Sequence, residues 1–169
     1  MAATRRLYLM RHAHAVPTSF LGDKNRSLDE LGRRQVATVA ARLASAGIER
    51  VLVSPAARTR QTAAGLGLGV ETEAVDDLYH DGSDAALRLI RLIDPAIQVA
   101  LVVGHNPTIA ALVHRLADPA RSDPEAWSLV ASHFPTATCC RLDFAGDWSE
   151  LDQASLRETI RSRAPGGRP

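Results

Sequence analysis

Hydrophobic and polar positions along this chain switch repeatedly between two periods. Residues 6–10 form a short apolar run that reads as a strand. Residues 29–46 change to the helical period, with Val36, Val39, Ala40 and Leu43 on one face. Ser27-x-x-Glu30 offers that helix a capping-box start, and Gly47 a stop. The alternation then continues. Residues 51–53 read as strand, 57–66 as helix and 70–75 as a short strand. Residues 83–93 read as a helix ended by Asp94-Pro95, and 98–103 as strand. Residues 107–117 read as a helix striped by Ile109, Leu112, Val113 and Leu116. Residues 136–144, rich in Thr and Cys, are expected to form a strand, with an antiparallel edge beside it at 148–151. Alternating strands and helices imply a layered α/β sandwich.

Three of these strands end in groups suited to phosphate. The first runs into Arg11-His12-Ala13. Side chains at the ends of parallel strands face the crevice where open α/β sheets bind ligands. Imidazole is a nucleophile, and guanidinium grips phosphate with a planar fork of donors. The second strand breaks at Ser54-Pro55 and leads to Arg58, in the first turn of a helix. Unpaired N–H groups there also favour anions. The third delivers Gly104-His105-Asn106-Pro107, with Asn106 as a cap and Pro107 at the first helical position.

These residues resemble the motifs of the histidine phosphatase superfamily, the phosphoglycerate mutase-like proteins. Arg11-His12-Ala13 is similar to its Arg-His-Gly signature, with Ala13 in place of Gly. Ser54-Pro-x-x-Arg58-x-x-Gln61-Thr62 and Gly104-His105-Asn106 resemble its second and third motifs. Asp23-x-x-Arg26-x-Leu28-Asp29-x-x-Gly32-x-x-Gln35 resembles the SixA-type phosphohistidine phosphatases, with Asp29 where Thr is common. The resemblance covers roughly residues 5 to 145. It implies a three-layer α/β/α sandwich with a mostly parallel sheet. It also implies catalysis by His12, Arg11, Arg58 and His105, with Arg26, Asn106 and Asp81 contacting substrate.

Composition narrows the setting. A chain of 169 residues suits one domain, here residues 1–163, and 164–169 are expected to be a disordered tail. A net charge of +1 argues against a dedicated nucleic-acid or membrane surface. No apolar run approaches the roughly 20 residues that span a bilayer, and no signal-peptide core follows Arg5 and Arg6. Cys139 and Cys140 are adjacent, so on a strand they face opposite ways and do not pair. A cytoplasmic setting is therefore expected.

Other features carry less. His14, His80, His114 and His133 share no metal-ligand spacing, and no metal or other cofactor is expected. His114 is expected to face solvent and His133 to lie in a loop at the pocket rim. Gly65-x-Gly67-x-Gly69 closes a helix rather than opening one, so it reads as a C-cap and turn, not a dinucleotide fingerprint. Arg157, Arg161, Arg163 and Arg168 read as a solvated helix face and tail. A general acid is not evident. Asp81 stands in the region where the resembled family carries one, and Asp76, Asp77 and Asp84 compete with it.

The expected activity is dephosphorylation of protein phosphohistidine. His12 attacks phosphorus as neutral imidazole, its tautomer fixed by a backbone carbonyl. Arg11, Arg58 and His105 hold the equatorial oxygens. No lid-sized insertion is evident, which favours an open site and a protein substrate. Two rivals remain: a small-molecule phosphomonoesterase, and a non-catalytic phosphoprotein-binding module or phosphocarrier.

Overall fold

A computed structural model describes residues 3–162. Among them six strands join in one sheet: β1 (Thr4–Arg11), β2 (Arg50–Val53), β3 (Thr72–Ala74), β4 (Val99–Gly104), β5 (Cys139–Ala145) and β6 (Ser155–Ile160). Their order is β3-β2-β4-β1-β5-β6. Strands β1 to β4 pair in parallel, and β5 runs antiparallel to both β1 and β6.

Alternation along each strand splits the core into two halves. Leu7, Leu9, Leu52, Ala100 and Val102 pack on one face. There they meet α4 (Ser83–Arg91), α5 (Thr108–Leu116) and α6 (Pro124–Val130) through Leu87, Ile90, Leu112, Leu116 and Val130. Tyr8, Met10, Val51, Val53, Leu101 and Val103 take the other face. They meet α1 (Glu30–Leu43) and α2 (Ala57–Gly65) through Val36, Val39, Leu43 and Ala63. The result is a three-layer α/β/α sandwich. Cys139 and Cys140 are free and lie in opposite halves, as adjacent strand residues must.

Several expectations are corrected. Residues 148–151 are not a strand: Trp148–Glu150 is a 3-10 turn, capped by Asp147 and Glu150. The edge strand is β6, a few residues later, so Arg157 lies on a strand and not on a helix face. Arg161 follows that strand and donates to the carbonyl oxygens of Leu129 and His133. Arg163, Arg168 and the 164–169 tail lie outside the described residues. Helix α1 starts one residue after Asp29, whose carboxylate accepts the Gly32 amide, so Ser27 does not form the box with Glu30. Asn106 is not the cap of α5; Pro107 takes that position, and Asn106 Oδ1 accepts from the Ala110 amide at 3.3 Å. Helix α3 (Asp77–His80) and helix α6 were not anticipated, being four and seven residues long. The glycine run behaves as read: α2 ends at Gly65, and Gly67 and Gly69 have φ of 61° and 69°.

Helix α1 approaches the chain after β1 unusually closely. A Cβ on Gly32 would lie 2.0 Å from the His14 carbonyl oxygen. Gly32→Ala should therefore destabilise the fold by about 1–3 kcal/mol through overpacking. Thermal unfolding checks this; a melting temperature lower by several degrees is expected.

Candidate active site

Strands β1, β2 and β4 end level with one another. Arg11 is paired with Gly104, and Val53 with Val103. The residues just beyond stay attached: the His12 amide donates to Gly104 O at 2.9 Å, and the Ser54 amide to Val103 O at 3.1 Å. This brings His12, Ser54 and His105 side by side. A cleft of about 370 Å³ opens above them, lined by Arg11, His12, His14, Ala15, Arg26, Arg58, His105, Asn106 and Thr136. Six of the seven expected site residues thus meet in one place. Asp81 does not line the cleft; it is exposed at the end of α3.

His12 is buried and His105 half-buried among cations. Burial, opposed by the Ala13 carbonyl and reinforced by Arg58, Arg11 and Arg26, pushes the His12 pKa down to about 4. Burial and then Arg58 push that of His105 down to about 3. His12 Nδ1 lies 2.7 Å from the Ala13 carbonyl oxygen. A carbonyl only accepts, so Nδ1 carries the proton and Nε2 keeps its lone pair. Ala13 itself is fully buried, has no left-handed backbone, and its amide donates to Thr62 Oγ1 at 3.0 Å. The position therefore needs no glycine. His105 Nε2 is 2.7 Å from Ser54 Oγ, while its buried Nδ1 has no protein partner.

The guanidinium groups are held from behind. Arg11 Nη1 donates to the Phe134 carbonyl at 2.9 Å, and Asn106 Nδ2 donates to the same oxygen at 3.0 Å. Arg58, only 6% exposed, donates to the Asp23 carbonyl at 2.9 Å and to its Oδ2 at 3.1 Å. Arg26 donates to Val16 O and to Asp23 Oδ1. The Tyr79 hydroxyl donates to Asp23 Oδ2 at 2.9 Å. Bonds from Arg26 and Tyr79 hold the Asp23 carboxyl down at about 2. Asp23 is the residue that the motif contained but whose task the sequence did not disclose: it gathers two arginines of the cleft around one carboxylate.

The other histidines divide. His14 lines the cleft, which sequence reading missed. His114 is exposed as expected, yet its Nε2 also bonds the Val130 carbonyl at 2.8 Å. His133 is exposed in a loop and is not among the residues lining the cleft. Among the described residues no three His, Cys, Asp or Glu side chains gather as a metal site would require. No helix among them is long and apolar enough to cross a membrane.

Comparison with known proteins agrees with this geometry. The sequence pattern of the histidine phosphatase superfamily, branch 1, matches residues 7–80. An uncharacterized protein of Mycobacterium leprae is 30% identical over 152 residues, 86% of this chain and 94% of that one. The structure of SixA from Nakamurella multipartitia, a candidate phosphohistidine phosphatase, is 32% identical with a TM-score of 0.86, covering 96% of this chain and 99% of that one. Its counterpart from Agrobacterium tumefaciens is 28% identical with a TM-score of 0.74, covering 94% and 98%. The chain belongs to the histidine phosphatase superfamily and within it is of the SixA type.

The depressed imidazole pKa values have a sign that can be checked. In the unfolded chain a histidine titrates near about 6.5. Between that pH and about 4 the unfolded chain binds protons that folded His12 and His105 refuse. Their share of stability is thus complete above the unfolded pKa and is lost as pH falls toward the folded values. Ring-nitrogen NMR should find both imidazoles still neutral at a pH of about 5.5; titration of either near 6.5 contradicts the burial argument.

Proposed function

We propose that this chain is a phosphohistidine phosphatase working through a phosphorylated His12. His12 Nε2 attacks phosphorus in line. Arg11, Arg58, Arg26 and His105 bind the equatorial oxygens and stabilise the charge they carry in the transition state, and Asn106 fixes the wall beside them. Water then hydrolyses the phosphohistidine. The enzyme needs neutral His12 for attack, and burial among cations favours that form.

One observation carries the choice of substrate: among the described residues, no carboxyl side chain lines the cleft. Asp81 lies outside it. Asp23 and Asp29 touch cleft residues, but both are held below the usual carboxylate range, Asp23 at about 2. A phosphoserine ester expels an alkoxide whose conjugate acid has a pKa near that of water, about 15.7. That departure demands a strong, well-placed acid. Phosphohistidine expels an imidazole whose conjugate acid has a pKa of about 6.5. Lacking a carboxylic acid, the cleft favours the leaving group that needs least protonation, phosphohistidine, and its openness suits a protein carrying it. The name carried by the Nakamurella relative supports the same reading.

Comparing a phosphohistidine protein, a phosphoserine peptide and small alkyl phosphates tests the substrate. Hydrolysis of phosphohistidine should exceed that of the others by about 10²-fold or more in kcat/KM, the low end of what general acid assistance contributes. Faster turnover of an alkyl phosphate would favour a small-molecule phosphomonoesterase instead. A stable phosphohistidine on the chain, without turnover, would favour a phosphocarrier.

Two variants test the machinery. His12→Ala should abolish turnover and the acid-labile phosphate trapped on the protein, while the fold persists. Arg58→Ala should lower kcat by about 10²–10³-fold, the usual loss for one preorganised donor. Arg58→Lys should not restore it, because a point charge cannot reproduce the fork. Full activity in either Arg58 variant would remove it from the cradle.

A further inference from the structure

A second pair of side chains stands beside the phosphate cradle without a task in the mechanism above. His14 lines the same cleft as His12. Its side chain is 46% exposed, whereas His12 is 8% exposed. Of the two cleft-lining histidines, His12 is therefore the buried one and His14 the one open to solvent. His14 Nδ1 lies 2.5 Å from Asp29 Oδ2. The Asp29 carboxyl is held ionised first by the Gly32 amide, so it only accepts. Nδ1–H of His14 then donates to Asp29, and Nε2 is left open to gain or lose a second proton.

The surroundings hold this pair in place. The His14 amide donates to Gln35 Oε1 at 2.8 Å, and its carbonyl accepts from the Asp29 amide at 3.3 Å. Gly32 packs directly against that carbonyl. Asp29 Oδ1 accepts the Gly32 amide at 2.8 Å. One carboxylate thus caps helix α1 with one oxygen and orients an imidazole with the other.

In-line displacement says where a proton is needed. His12 attacks from its buried position, so the leaving group departs on the opposite side, toward solvent, where His14 is exposed. Asp23 is ionised, and the Tyr79 hydroxyl is committed to Asp23. An imidazole oriented by a carboxylate through one nitrogen has its other nitrogen available to give or take a proton. We propose that His14, oriented by Asp29, is the general acid and base of this phosphatase. The inference rests on the phosphatase reading given above and deepens it.

Both half-reactions balance. First, the His12 Nε2 lone pair forms a bond to phosphorus as the bond from phosphorus to the leaving group breaks. The departing atom takes that electron pair together with the Nε2 proton of His14 in its imidazolium form, which leaves His14 as neutral imidazole. Second, water oxygen attacks the phosphorus on His12, and the P–N pair returns to Nε2. The proton lost by water goes to His14 Nε2, phosphate leaves, and both histidines are restored.

A series of aryl phosphates, from p-nitrophenyl to phenyl phosphate, tests this through kcat/KM, which reports the first half-reaction. His14→Ala should lose about tenfold on the nitrophenyl ester and about 10²–10³-fold on the phenyl ester, the span expected for a lost general acid. Added imidazole should restore part of the phenyl rate. Asp29→Thr keeps a side chain able to cap α1 but removes the carboxylate, and should steepen the series in the same sense. An equal loss on every ester, or no loss, would overturn the role of His14. A wild-type protein that hydrolyses these esters but not phosphohistidine overturns the substrate assignment alone, and the slopes still judge His14. A wild-type protein inert toward every phosphoryl donor overturns both.

Discussion

The whole site depends on the register of three parallel strands. β1, β4 and β2 end at the same height because Arg11 faces Gly104 and Val53 faces Val103. A slip of one residue would exchange the two faces of a strand. In β1 it would turn Leu7 and Leu9 away from α5 and drive Tyr8 and Met10 into their place. Each buried apolar side chain is worth roughly 1.5–3 kcal/mol, so the two helical layers enforce the register from both sides. The chemistry at the strand ends is thereby placed by the core. Catalytic geometry costs no separate scaffold beyond the loops that leave these ends.

Gathering Arg11, Arg26, Arg58 and two imidazoles around one cleft raises a problem of charge. The fold answers it in two ways. Burial keeps His12 and His105 neutral, which removes two positive charges from the site. The guanidinium groups cannot be neutralised, so their rear edges are satisfied by the carbonyls of Phe134, Val16 and Asp23. Asp23 adds one full negative charge shared between Arg26 and Arg58. A phosphate dianion brings more charge and more acceptor oxygens than this single carboxylate. It can therefore bind the same cations while Asp23 continues to hold their outer edges.

Those parts of the fold and site that depend on local pattern were legible in the sequence. The strand ends at His12, Ser54 and His105 follow from short apolar runs broken by polar groups, and the motif spacing supplied Arg58. What escaped was set by contacts between distant segments. β6 is a strand because it pairs with β5 and covers α6, although its own pattern, with Arg157 and Glu158, reads as polar surface. Helix α6 is only seven residues long and has no sustained period to detect. Asp81 looked suitable by position along the chain, but it is exposed at the end of α3 and is not among the residues that line the cleft. His14 was overlooked because its partner Asp29 lies fifteen residues on. The signal was present in the substitution of Asp29 for the more common Thr, which adds an oxygen that a helix cap does not need.

The segment after β1 also explains the uncharged motif residues. From His12 to Leu28 the chain is largely irregular, so its backbone groups lack a ladder and must find other partners. Thr62 receives the Ala13 amide, Gln35 the His14 amide and Gln61 the Leu28 amide. Gln35 also donates to Thr136, on the opposite wall of the cleft. None of these three residues needs to touch phosphate. Each replaces a strand hydrogen bond with a side-chain one, and so fixes the backbone that carries His12 and His14. The family spacing of Gln35, Gln61 and Thr62 is in this sense a spacing of supports. Two helices, α1 and α2, use it to hold an irregular loop to the geometry that phosphoryl transfer requires.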